Sequence, residues 1–124
     1  MSTKIKRVYS PVEKSDGVRI LVDRLWPRGI SKDNARVDEW VKDVAPSDAL
    51  RKWFGHNPER WEEFRRRYKI ELADPDKKAL VGRLRTLSRK GTVTFIYAAK
   101  DEVHNNANVV AEVVERKLNS RNVN

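Results

Sequence analysis

Two short segments carry side chains able to do anion or proton chemistry. In the first, Asp23-Arg24-Leu25-Trp26-Pro27-Arg28, the apolar run Leu21-Val22 ends in an acid and two arginines set around a Trp-Pro pair. The second, Ala99-Lys100-Asp101-Glu102-Val103-His104-Asn105, follows the β-branched and aromatic run 92–98. Arginine presents a planar fork of donors that matches carboxylate and phosphate oxygens, and lysine presents a compact point charge. Brought together, Arg24, Arg28, Lys100 and Asn105 would form an anion-binding basin. His104 and Asp101 are the types that transfer protons as general base and acid. His56, in Trp53-Phe54-Gly55-His56, is a further ligand-binding candidate.

Each residue also has a purely structural reading. Asp23 and Arg24 could form an ion pair at a strand end, and Lys100 and Asp101 could be a surface charge and a helix cap. His56 stands between Gly55 and Asn57, where it could satisfy a helix-end carbonyl. His104 falls in what reads as the first turn of a helix, where the dipole disfavours positive charge and a neutral imidazole is expected. Trp26 and Pro27 offer too much apolar area to leave wet and read as core and turn.

Composition narrows the chemistry. The chain has no cysteine, which rules out disulfides, thiolate metal sites and cysteine nucleophiles and fits a reducing, cytoplasmic setting. Its two histidines are far apart in sequence, so no structural metal site is expected. No glycine-rich phosphate loop of P-loop or dinucleotide type is present, and no cofactor is implied. No apolar run approaches the roughly 20 residues needed to span a bilayer, so no membrane partner is expected.

Twenty-seven lysines and arginines against eighteen acids give a net charge of +9, which brings nucleic acid into consideration as a partner. Arg65-Arg66-Arg67 would point in different directions on a helix, with Glu62 and Glu63 able to pair with Arg66 and Arg67, so that run reads as a solvated face. The high charge content also resembles that of heat-adapted proteins rich in ion-pair networks.

At 124 residues the chain is sized for one domain with one core, fed by Trp26, Trp40, Trp53 and Trp61. The spacing predicts strands over 5–9 and 18–22, a long connection over 25–36, and an ambiguous stretch over 37–44. Pro46-Ser47 caps a short helix closed by Gly55, and Asn57-Pro58 starts a helix whose inward stripe is Trp61, Phe64, Tyr68 and Leu72. Asp74-Pro75 starts another with Leu80, Leu84 and Leu87 inward, running to Gly91, in which Gly82 suggests close packing. The run 92–98 reads as a central strand buried on both faces. Asp101 is expected to cap a final helix with the stripe Val103, Ala107, Val110, Val114 and Leu118, followed by a frayed polar tail over 119–124.

Strands alternating with helices imply an α/β fold over 1–118. The expected form is a small three-layer-like domain whose mainly parallel sheet has about three to five strands flanked by helices. Ligands of such sheets bind beyond the carboxyl ends of the strands, which is where both chemical segments fall.

The chain also resembles the YeaO-like branch of the proteins catalogued as domain of unknown function 488. The likeness rests on Arg7-Val8-Tyr9, on Leu21 through Ile30, on Trp53-Phe54-Gly55-His56 with Trp61 and Phe64, and on Tyr97-Ala98-Ala99-Lys100-Asp101 with His104-Asn105. It implies a small cytosolic α/β domain and assigns it no activity. Other branches are similar but carry a cysteine after the last strand and a Cys-His-Arg at the following helix. Here Ala98 and Asn105-Asn106-Ala107 stand in the comparable places, which leaves no covalent thiol chemistry.

The reading that follows is an anion-binding α/β domain for a phosphate- or carboxylate-bearing small molecule, with non-covalent hydrolase or transferase chemistry an extension of it. A nucleic-acid-associated basic protein is the alternative. An interaction subunit of a larger assembly, with Trp53-Phe54 as a contact, is the third.

Overall fold

The run Thr92–Tyr97 becomes the central strand of a parallel sheet because it is β-branched or aromatic throughout and can be buried on both faces. The computed structural model describes residues 2–123, with side chains described as far as Glu115. Its strands β1 (Ser2–Arg7), β2 (Val18–Leu21), β3 (Glu39–Trp40) and β4 (Thr92–Tyr97) lie in the order β1-β4-β2-β3 and pair in parallel. Ile5 and Ile20 flank Phe95 from the two sides. The helices are α1 (Lys32–Ala35), α2 (Asp48–Phe54), α3 (Trp61–Leu72), α4 (Pro75–Lys90) and α5 (Asn106–Val123). None of them is long and apolar enough to cross a membrane.

Strand alternation divides the core in two. Ile20, Val22, Val93, Phe95 and Tyr97 pack against α2 to α5, around Phe64, Tyr68, Leu84 and Val110. Leu21 and Ile96 point to the opposite face, where Val8, Ala35 and the half-buried Trp26, Ile30, Val37, Trp40 and Ala98 cover them. Trp26 and Trp40 meet edge to face at 5.4 Å, so two large rings do there what helices do on the other face.

Several sequence expectations shift. The first strand begins at Ser2 and ends at Arg7 rather than spanning 5–9, because an edge strand tolerates the lysines and hydroxyls that blur its apolar signal. The 25–36 connection contains α1, whose Ser31 cap accepts from the Asn34 N–H at 3.1 Å. The ambiguous 37–44 stretch resolves into β3 followed by a 3-10 turn over Lys42–Val44. Gly82 does not mark close packing, since a Cβ there would meet nothing within 4 Å. Gly17 is the glycine the fold requires: its φ is +63° and a Cβ would sit 2.1 Å from the Thr92 carbonyl oxygen.

On α3, Glu63 takes both Arg66 and Arg67, while Arg65 turns to Glu62 and Glu112 rather than leaving Glu62 for Arg66. The final helix starts at Asn106, not beside Asp101, and its cap is Asn105, whose Oδ1 accepts from the Asn108 N–H at 3.0 Å. Val103, expected in the inward stripe, is consequently 62 % exposed. The expected inward Leu118 and the polar tail over 119–124 lie outside the residues whose side chains are described.

Candidate functional site

The carboxyl ends of β2 and β4 are neighbours, and the segments leaving them diverge around a cavity of about 410 Å³. Its walls come from the 23–28 loop, the end of α2 with His56, the Ala98-Ala99 turn and the His104-Asn105-Asn106 corner. Phe54, Phe64 and Pro27 give it an apolar side, and Arg24, Arg28, Arg51, His56 and His104 supply groups that are or can become cationic.

Local chemistry fixes each wall. Arg7 donates from Nε to the Ala99 carbonyl at 2.9 Å and from Nη2 to that of Ala98 at 3.3 Å, which pins the turn after β4. The Trp40 indole N–H donates to the Asp23 carbonyl at 2.7 Å and that of Trp26 to Ile30 at 2.8 Å, so both tryptophans brace the 23–30 loop from behind. Trp26 also edges the cavity. The Tyr9 hydroxyl holds the Arg28 carbonyl at 2.7 Å, leaving the exposed Arg28 side chain free of that anchor. His56 enters the site on a left-handed residue, φ 56°, directly after the left-handed Gly55 cap of α2. Such strain in a non-glycine residue concentrates where a side chain must be aimed.

Asp23 and Arg24 do not pair with each other. The Asp23 carboxylate accepts from the Ala98 N–H at 2.9 Å and from Asn106 Nδ2 at 3.2 Å, tying β2 to β4 and to the start of α5. Burial pushes its carboxyl above the ordinary range, against the opposing pull of those two donors and of His56. Arg24 leans the other way, with Nε 3.8 Å from Asp48, too far for a hydrogen bond. Its Nε is the one buried side-chain polar atom among the described residues that lacks a hydrogen-bond partner.

His104 and Asp101 form a dyad. Asp101 Oδ2 lies 2.8 Å from His104 Nδ1, and its Oδ1 accepts from the N–H groups of Val103 and His104, both at 2.9 Å. The His104 N–H and ring, then the Val103 N–H, hold the Asp101 carboxyl at about 2. An ionised carboxylate can only accept, so it fixes the proton on Nδ1 and leaves Nε2 as the imidazole's open nitrogen. His104 precedes α5 and packs edge-on against Trp61 at 5.2 Å, so its ring answers to Asp101 rather than to the helix end.

Of the residues the sequence singled out, Arg24, Arg28, His56, His104 and Asn105 line the cavity. Asp101 stands behind His104, and the exposed Lys100 is not part of the lining. Asn105 is 3 % exposed and both ends of its amide are engaged, by Asp101 and Asn108. The lining also includes Tyr9, Arg51 and Asn106, which sequence reasoning missed, and Asp23, whose ion-pair and ligand readings it left open. The Asn105-Asn106 doublet was a usable signal, as was Arg51, five residues before His56, but nothing local links Tyr9 to a site that begins 14 residues further along the chain. Among the described residues, no group of three or more His, Cys, Asp or Glu is placed to hold a metal ion.

The fold and cavity together define a small parallel α/β domain with a basic pocket at the carboxyl edge of its sheet. The chain belongs to the family described as the inactive DUF488-N3 subclade, whose model matches residues 2–124. It is 45 % identical over 112 residues to the uncharacterized protein YeaO of Escherichia coli, covering 90 % of this chain and 96 % of that protein. It is also 44 % identical over 111 residues to an uncharacterized protein of Mycobacterium tuberculosis, covering 90 % and 92 %. No solved structure matches it.

Proposed function

We propose that the cavity is a binding site for a small phosphate- or carboxylate-bearing molecule, and that binding rather than turnover is its role. The observation that carries this is the gathering of Arg24, Arg28 and Arg51 in one wall, with Arg24 Nε buried and short of a hydrogen bond, its nearest acceptor being Asp48 at 3.8 Å. A guanidinium N–H withdrawn from water without a hydrogen bond is costly, and an anionic oxygen closer than Asp48 would supply the acceptor. The apolar side offers Phe54 and Phe64 to the body of the ligand, the usual division of labour in small-molecule sites. The description of the family as inactive and the absence of any cysteine from the chain both agree with a site that holds rather than converts its ligand.

Thermal unfolding with phosphate, sulfate and 3-phenylpropionate tests this. At least one should raise the midpoint, and Arg28→Ala should remove most of the rise. An unmoved midpoint with all three, or an undiminished rise in Arg28→Ala, overturns the reading. The Asp101–His104 dyad supports a second reading, general-base hydrolysis through the open Nε2. Its signature is release of nitrophenol from nitrophenyl phosphate or acetate that His104→Gln abolishes; release at the uncatalysed rate in wild type discards it.

A further inference from the structure

One cavity group has the wrong sign for a simple anion. Asp23 lines the same space as Arg24, Arg28 and Arg51, yet among the described residues it has no ion-pair partner, because Arg24 and Arg51 both turn toward Asp48. We infer that the ligand is a small zwitterion, with its anionic group held by Arg24 and Arg28 and an amine N–H accepted by Asp23. This deepens the anion-binding reading above and rests on it.

Three features carry the inference. First, each Asp23 oxygen accepts one protein hydrogen bond, from Ala98 to Oδ2 and from Asn106 to Oδ1, and a carboxylate oxygen has room for a second. Second, the two structural bonds do not require a charge, since an asparagine oxygen would accept the Ala98 N–H and its NH2 would donate to Asn106 once that side-chain amide turned over. A half-buried carboxylate is a cost unless a cation offsets it, and burial does raise this carboxyl above its ordinary range. Third, a simple anion seated at Arg24 would be repelled by Asp23, whereas an amine on the same molecule turns that repulsion into attraction. Phe54, Phe64 and Pro27 lie along the cavity to receive an apolar body carrying the two groups.

Calorimetric titration of the full chain with two matched pairs decides the matter. Phenylalanine and 3-phenylpropionate differ only in the amine, as do 3-aminopropylphosphonate and propylphosphonate. In at least one pair the amine-bearing member should bind about tenfold or more tightly, the gain expected of a charge-assisted hydrogen bond in a half-buried site. In Asp23→Asn that preference should fall to about one, while the amine-free partner binds more tightly because a repelling charge has gone. Equal affinities within both pairs, or a preference that survives Asp23→Asn, overturns the zwitterion inference and leaves anion binding standing. If none of these compounds binds, nor phosphate nor sulfate, the anion reading itself has failed and the inference falls with it.

Discussion

Two aspartate–arginine clusters sit on this sheet, and they solve the problem of burying charge in opposite ways. On the thinly covered face, Asp16 and Arg19 are 0 % and 3 % exposed and meet at 2.6 Å, and Lys6 reaches Asp16 at 3.0 Å. Arg19 spends its remaining donors on the Arg36 and Ala35 carbonyls, and the Thr94 hydroxyl donates to the Asp16 carbonyl. At the carboxyl edge, Asp23 and Arg24 adjoin in sequence and ignore each other, and Arg24 Nε has no hydrogen-bond partner, its nearest acceptor being Asp48 at 3.8 Å. The residue types are alike, but one cluster is closed upon itself and the other, whose two residues both line a cavity, is not. A satisfied buried network fixes a fold, whereas unsatisfied polar groups beside a cavity mark where a ligand completes the structure.

The contrast is sharpest in stability. Arg19→Ala leaves Asp16 to Lys6 and the Glu13 N–H and strips the Ala35 and Arg36 carbonyls of their donor, and should cost about 3 kcal/mol in urea unfolding, whereas Arg24→Ala should cost no more than about 1 kcal/mol. Comparable losses at the two sites would erase the distinction.

The two acids should also respond oppositely to pH. Burial alone would raise the Asp16 carboxyl, but the Glu13 N–H, Lys6 and Arg19 more than offset it and hold it below the ordinary 3.8. Its contribution is therefore present above pH 3.8 and is lost as pH falls through its depressed value. Asp23 is raised, so the folded state holds the extra proton, and stability declines as pH climbs from 3.8 through the raised value. The stability of Asp16→Asn relative to wild type should accordingly worsen with rising pH across the acid range, while that of Asp23→Asn improves. Denaturant midpoints at stepped pH would show the slopes, and slopes of equal sign would break the comparison.

Smaller effects separate anchor from ligand contact within the site. Arg28→Ala should leave the midpoint of the unliganded protein where it is, because the structural bond at this residue uses its carbonyl, yet remove the phosphate-induced rise. Tyr9→Phe should do the reverse in miniature. It releases that carbonyl at a cost of about 0.5 kcal/mol and weakens phosphate binding only as far as the loop loosens, which titration of the variant would measure.

Local chemistry reported much of this molecule from the sequence. Ser47, Asn57 and Asp74 each cap a helical turn where the dipeptides Pro46-Ser47, Asn57-Pro58 and Asp74-Pro75 predict one, and Gly55 adopts the left-handed closure. These motifs act over a few residues, so the sequence states them outright. The central strand was legible for the same reason: a six-residue run that is β-branched or aromatic throughout reads as interior from its residue types alone.

What the sequence left undecided are matters of distance along the chain. Order β1-β4-β2-β3 places the ends of β2 and β4 side by side, and that adjacency alone turns two separate segments into one cavity. It adds Tyr9 and Arg51, leaves Lys100 outside, and moves the last helix's cap from Asp101 to Asn105, which frees Asp101 to hold His104. The Asp-Arg dipeptide at 23–24 shows the limit most plainly. Its composition offers an ion pair or a ligand site equally, because a side chain's partner is chosen by whatever the fold brings within about 3 Å of it. Sequence determined which groups were available; packing of the strand ends decided which of them were paired and which were left open.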